Sequence, residues 1–167
     1  MEQLDLRLEA NNPLLLVSRL GLAASHVGIT RVFLRRGGVQ TPVPRETGRI
    51  GKILEGARRE IKEYLAGKRT FFTVPVDLSQ VPPFERSALE MAAQIPYGEV
   101  RSYKWIAERL GKPDAARAVG NAMARNPVPI IVPCHRVVRT DGNLGGYSFG
   151  LIRKENLLEL ERRHNAY

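Results

Sequence analysis

Two adjacent prolines, Pro82 and Pro83, constrain this chain more than any other feature. Neither has an N–H to give to a helix or a sheet, and each pushes the residue before it into extended backbone. The stretch 77–83 is therefore a linker, and the apolar pattern changes across it. Upstream, short runs alternate or carry β-branched residues; downstream, apolar residues recur at helical spacing. With 167 residues the chain can hold one good-sized domain or two small ones. We place the boundary here: residues 1–80 form an N-terminal sheet-plus-helix domain and residues 81–167 a C-terminal domain. The expected fold class is α/β, in its segregated α+β form.

In the first domain, residues 4–8 (Leu-Asp-Leu-Arg-Leu) alternate as a half-buried strand should, and Asn11-Asn12-Pro13 marks a turn. The apolar run 14–17 follows. Residues 28–34 are a further strand candidate, closed by Gly37-Gly38, so the pattern predicts a small antiparallel sheet. Residues 41–47 are polar, contain proline, and read as a loop. A helix follows with Ile50, Ile53, Leu54, Ala57, Ile61, Tyr64 and Leu65 on one face. Its other face carries Lys52, Arg58, Arg59, Glu60, Lys62 and Glu63, and Gly67 ends it. Residues 71–76 read as a short apolar strand.

The second domain opens with a helix over 84–95, whose buried side takes Phe84, Ala88, Leu89, Met91, Ala92 and Ile95. After a Pro-Tyr-Gly turn, Ser102 can cap a helix over 103–110, and Asp114 can cap another over 115–125. Two short helices joined by a tight glycine-containing turn fit a helix-turn-helix, and they fit an ordinary helical hairpin equally well. The second helix carries small residues at Ala115, Ala116, Ala118 and Gly120, with one long basic side chain, Arg117. A reader of the major groove needs several long polar side chains. This surface suits close approach to a shallow or narrow groove with a single inserted side chain.

Cys134 is the only cysteine, and His135 and Arg136 follow it directly. One cysteine makes no intramolecular disulfide, which fits a reducing, intracellular setting. Pro127, Pro129 and Pro133 stiffen the apolar approach to it, which reads as a buried strand. A thiol attacks only as thiolate, and nearby His or Arg lowers its pKa. A buried, inert cysteine is the competing reading. The formal net charge of +9 points first to nucleic acid and second to an anionic membrane surface. A merely basic protein, or one adapted to heat, is the plain alternative. No apolar run is long enough to cross a bilayer, and the N-terminus does not read as a signal peptide. His26 has no second His or Cys nearby to share a metal.

Several motifs occur together and in order: Ile95-Pro-Tyr-Gly-Glu-Val-Arg-Ser-Tyr103, Ala115-Ala-Arg-Ala-Val-Gly120, Asn126-Pro-Val-Pro-Ile130, Pro133-Cys-His-Arg-Val137 and Gly146-Tyr-Ser148. With the final helix through Glu161, they resemble the alkylguanine-DNA alkyltransferases from about residue 84 to 161. The resemblance implies a ribonuclease H-like N-terminal domain and a winged helix-turn-helix-like C-terminal domain. It implies repair of 6-O-alkylguanine by irreversible transfer of the alkyl group to the protein's own Cys134, in a single turnover and without a cofactor. His135 would act through a water as base, Glu161 would orient it, and Asn126 would brace the turn before the cysteine. The target lies inside a duplex and must be flipped out. By the resemblance Arg117 fills the gap, with Ala115, Ala116, Ala118 and Gly120 on the DNA-facing helix. Tyr103 rotates the nucleotide and donates to the leaving guanine. Met123, Pro129, Val137, Tyr147 and Ser148 form the substrate pocket.

Some relatives hold a structural zinc in the N-terminal domain. Here Cys134 is already assigned and the remaining histidines are His26, His135 and His164, so we expect no metal. The expected partner is double-stranded DNA bearing alkylated guanine, bound by a monomer in the cytoplasm, away from membranes. Two rivals stay open on the residues alone. One is a lesion sensor with a structural Cys134; the other is a Cys-His hydrolase using a distant histidine such as His164. Glu155 and Glu159 compete with Glu161 on the same helix.

Overall fold

The computed structural model describes residues 14–35 and 47–165. The alternating segment 4–8, the Asn-Pro turn, Gly37-Gly38 and nearly all of the 41–47 loop lie outside them. The chain divides into two compact units, Met1–Ser79 and Gln80–Tyr167.

In the first unit the run at 14–17 is helical: α1 (Leu14–Arg19) leads straight into β1 (Leu20–Ala24). Its apolar residues thus lie on a helix rather than a strand, because leucine is a good helix former, and Leu16 is buried. β1 pairs antiparallel with β2 (Ile29–Leu34), Leu20 facing Leu34 and Leu22 facing Val32, with a bulge at Ala23/Ala24. The small antiparallel sheet is therefore present. α2 (Gly48–Leu65) buries Ile53, Leu54, Ala57, Ile61, Tyr64 and Leu65, the apolar face expected of it. Glu60, expected on its polar face, is buried. Its carboxylate accepts the N–H groups of Thr73 (2.8 Å) and Val74 (3.1 Å), and Arg69 lies 3.8 Å away. This accounts for the corrected segment 71–76. Its amides are spent on Glu60, so only Val76 makes a bridge, to Ile29, and no strand forms.

The second unit begins at α3 (Pro83–Ala93), with Pro83 at its first position, where the missing N–H costs nothing. β3 (Arg101–Ser102) is followed at once by α4 (Tyr103–Arg109). Ser102 caps α4 as expected, its hydroxyl accepting from the Trp105 N–H at 3.0 Å. α5 (Ala116–Ala124) starts one residue later than expected. Ala115 occupies the cap position with no side-chain hydrogen bond, so Asp114 is not the cap. The approach to the cysteine is likewise not a strand. Residues 126–133 form a tight turn, and Cys134–Arg136 is one turn of 3₁₀ helix leading into β4 (Val137–Val138). Prolines at 127, 129 and 133 remove the donors a ladder would need. β3 and β4 pair in parallel, Arg101 with Val137 and Ser102 with Val138. That short pairing sets Tyr103, at the start of α4, beside the segment that carries the thiol. α6 (Leu151–His164) closes the unit, burying Arg153, Lys154, Leu157, Leu160 and Glu161.

Candidate active site

Cys134 is 1% exposed. Asn126 holds both the thiol and the turn before it. Its Nδ2 donates to Cys134 Sγ at 3.0 Å and to the Val132 carbonyl at 3.0 Å, while its Oδ1 accepts from the Val128 N–H at 2.9 Å. Within the turn, Ile130 sits at φ 76°, a left-handed conformation unfavourable for a β-branched residue. Such strain persists only where the surroundings fix it, and Asn126 clamps the turn from either side.

His135 is fully buried, and its Nε2 lies 2.8 Å from Glu161 Oε1. Glu161 is itself fully buried. It accepts from Arg136 Nε (3.0 Å) and Nη2 (2.9 Å) and from the Gly98 N–H (2.9 Å). Burial alone would raise this carboxyl, but the hydrogen bonds and charges of His135 and Arg136 outweigh it and hold it at about 2. Burial pulls the His135 imidazole below its ordinary value despite Glu161, so the ring is neutral at pH 7. A neutral ring facing an ionised carboxylate carries its proton on Nε2, which leaves Nδ1 as the basic nitrogen. Gly98, at φ 77°, has no room for a side chain, since a Cβ there would lie 2.4 Å from the Asn165 amide.

Arg136 differs from its sequence reading. Its guanidinium binds Glu161 and donates to the Ile95 carbonyl at 2.7 Å, so it stabilises the carboxylate rather than the thiolate. The thiol's own pKa goes the other way from that expectation: burial pushes it up to about 11. The Asn126 hydrogen bond and the charge of Lys154 offset only part of that rise. At neutral pH the sulfur keeps its proton until a base removes it.

Lys154 was missed in the sequence. It is fully buried, and its Nζ donates to the carbonyls of Val137 (2.6 Å), Leu144 and Gly146 (3.2 Å). Burial lowers its pKa to about 8. The available signal was the stripe Lys154-Leu157-Leu160-Glu161, one helical face with two leucines between two charges. Of the rival carboxylates, Glu159 pairs at the surface with Arg162 and Arg163, and Glu155 is exposed.

A groove of about 1080 Å³ opens beside Tyr103, and neither Cys134 nor His135 lines it. Tyr103, Ala116, Arg117 and Gly120 line it, together with the loop through Arg139 and Gly146. Gly145 (φ 68°) lets that loop close on Tyr103, because a Cβ there would lie 2.5 Å from the phenol oxygen. Ala115 and Ala118 lie on or beside α5 without lining the groove. The expected pocket residues are not gathered on its walls. Met123, Pro129 and Val137 are buried, and Ser148 is exposed outside it. The Tyr147 ring meets His135 edge-on at 6.3 Å and Phe149 at 5.9 Å. Its hydroxyl is buried with no hydrogen-bond partner among the described residues. Among those residues no cluster of His, Cys, Asp and Glu could hold a metal ion, and no helix is long and apolar enough to cross a membrane.

Fold and site together define a mixed α/β protein that keeps a buried thiol beside a carboxylate-held histidine, next to a cationic groove. Residues 83–163 match the family model described as 6-O-methylguanine DNA methyltransferase, DNA binding domain. A Mycolicibacterium paratuberculosis methylated-DNA–protein-cysteine methyltransferase is 47% identical over 128 residues, covering 75% of this chain and 77% of the relative. A Methanosarcina barkeri protein of the same name is 40% identical over 146 residues, covering 86% and 90%. The crystal structure of Mycobacterium tuberculosis OGT in complex with DNA is similar with a TM-score of 0.75 at 40% identity, covering 87% of each chain. The chain belongs to the methylated-DNA–protein-cysteine methyltransferase family.

Proposed function

We propose that this protein repairs 6-O-alkylguanine in double-stranded DNA by taking the alkyl group onto Cys134, once per molecule and without a cofactor. The observation that carries the reading is the buried chain of Cys134, His135 and Glu161, with His135 Nε2 held 2.8 Å from the carboxylate. His135 Nδ1 accepts the thiol proton through a water, because neighbouring residues on one chain do not face each other directly. The thiolate attacks the alkyl carbon, an S–C bond forms and the C–O bond breaks. The guanine leaves with the electron pair and takes a proton or hydrogen bond from Tyr103. A thioether is not cleaved under cellular conditions, so the protein is consumed. The base reaches the thiol by flipping, with Arg117 entering the stack from α5 and Tyr103 turning the nucleotide. Met123, Pro129 and Val137 back the alkyl group, and Tyr147 and Ser148 cover the base. This reading takes residues 1–80 as a ribonuclease H-like domain and 81–167 as a winged helix-turn-helix-like domain, working as a cytoplasmic monomer.

Intact-mass analysis after incubation with a 6-O-methylguanine duplex tests it. The expected result is a gain of one methyl group on the peptide holding Cys134, with repaired DNA never exceeding protein. DNA binding without any mass gain would instead establish a lesion sensor, and product in excess of protein a hydrolase. Arg117→Ala should slow repair of duplex DNA about tenfold or more, since flipping costs a few kcal/mol that the inserted side chain offsets. Reaction with free 6-O-methylguanine, which needs no flipping, should fall less. Equal losses on the two substrates would remove Arg117 from that role.

A further inference from the structure

The groove has a second cationic wall. Besides Arg117 and Lys104 on the helices, the loop after β4 contributes Arg139 to the lining. Arg139 is placed with little freedom. It follows buried Val138, which is paired to Ser102, and its own N–H donates to the Asn143 carbonyl at 2.8 Å. The Gly142 N–H donates to the Arg139 carbonyl at 3.0 Å, so the loop folds back on it.

The side chain of Arg139 is exposed and makes no ion pair among the described residues. Several other arginines of this unit are already paired: Arg101 with Glu99, Arg125 with Glu85, Arg136 with Glu161, and Arg162 and Arg163 with Glu159. A carboxylate of the same loop, Asp141, also lines the groove and feels the charge of Arg139, but the two form no ion pair among the described residues. Asp141 Oδ1 accepts from the Asn143 N–H at 3.0 Å and Oδ2 from Asn143 Nδ2 at 2.8 Å. The loop thus satisfies its own acid with amides and leaves the guanidinium facing the groove. Arg139 also lies close enough to Tyr103 for its charge to offset part of the burial that pushes that phenol's pKa up.

We propose that Arg139 is a second DNA-gripping residue, holding a backbone phosphate of the damaged strand from the loop that lines the groove together with Arg117. The proposal rests on the reading that this groove receives DNA. An exposed guanidinium outside ion-pair distance of every carboxylate among the described residues, on a hydrogen-bonded loop at a groove, has the charge and the fork geometry for a phosphate. A phosphate contact carries no base information, so Arg139 sets strand position and Arg117 acts in the stack.

The test measures binding of a 6-O-methylguanine duplex between 50 and 200 mM salt for wild type, Arg139→Gln and Arg139→Lys. Losing one phosphate contact should reduce the slope of log affinity against log salt by about 1 in the glutamine variant. The lysine variant should keep most of the slope. Transfer from duplex DNA should slow more than transfer from the free base in Arg139→Gln. An unchanged slope, or equal slowing on both substrates, overturns the proposal. Wild type that binds no DNA would overturn the function on which it rests, a separate result.

Discussion

Glu161→Gln should slow alkyl transfer to Cys134 by about two to three orders of magnitude, the range for losing a positioned general base. The carboxylate accepts from His135, from two nitrogens of Arg136 and from the Gly98 N–H, all in a buried site. An amide of the same shape turns one acceptor into a donor and sets it against another donor. It also removes the charge that keeps the His135 proton on Nε2, so Nδ1 is no longer held as the basic nitrogen. Arg136 is left buried without its counter-charge, an imbalance that costs about 3–5 kcal/mol. Glu161→Asp, which keeps the charge and shortens the reach, should recover stability better than rate.

The pH dependence separates this carboxylate from others. Glu161 titrates at about 2 in the folded protein, against an ordinary 4.5. Above 4.5 it is ionised in both states and its full contribution is present. As pH falls from 4.5 towards 2, only the unfolded chain takes up the proton, and about 3 kcal/mol is lost. His135, buried and neutral, adds a loss in the same direction that begins below its ordinary value of 6.5. Denaturant unfolding at pH 5 and pH 3 should show a smaller drop in Glu161→Gln than in wild type. A variant that reacts at the wild-type rate would remove Glu161 from the mechanism.

Lys154→Met should be nearly as damaging, by a different route. Methionine fills the space of the lysine stem, yet it strands the carbonyls of Val137, Leu144 and Gly146. A buried acceptor without a donor costs about 1–3 kcal/mol, which applies in full to the Val137 carbonyl and in part to the half-buried other two. The loss is concentrated on the loop that closes over Tyr103, so amide exchange should quicken across residues 139–147. Removing the cation also takes away one of the influences that oppose burial at the thiol, which stands at about 11. Its reaction with a small alkylating agent should therefore need a higher pH than in wild type. Unchanged loop exchange together with an unchanged pH profile would show that Lys154 neither pins the loop nor acts on the sulfur.

Residues that follow local rules could be read from the sequence. The amphipathic face of α2, the β2 strand and the Ser102 cap depend on neighbours three or four positions away, and all three are present. Asp114 failed as a cap because the backbone turned one residue later, at Ala115. The strand expected before Cys134 failed because three prolines outweighed an apolar composition. Glu60 sits among the polar residues of its helix, Lys154 shows only as one end of a helical stripe, and the burial of both depends on backbone groups 8–17 positions away. Arg136 was noticed for its charge beside the cysteine, but a side chain can face away from its chain neighbour, and its partner is 25 residues distant. Glu161 was singled out only by resemblance to a family; the geometry of its buried pairing is visible only in the fold.

The 26-residue separation between His135 and Glu161 has a consequence for how the protein is made. Synthesis at roughly 5–20 residues per second delivers the carboxylate about 1–5 s after the cysteine and histidine. Throughout that interval α6 cannot dock, Arg136 has no acceptor for its fork, and nothing fixes the imidazole proton. A chain still on the ribosome therefore carries the thiol without its carboxylate-held histidine. On the proposed single-turnover reading, the order of the residues withholds the complete Cys134–His135–Glu161 set from an unfinished copy.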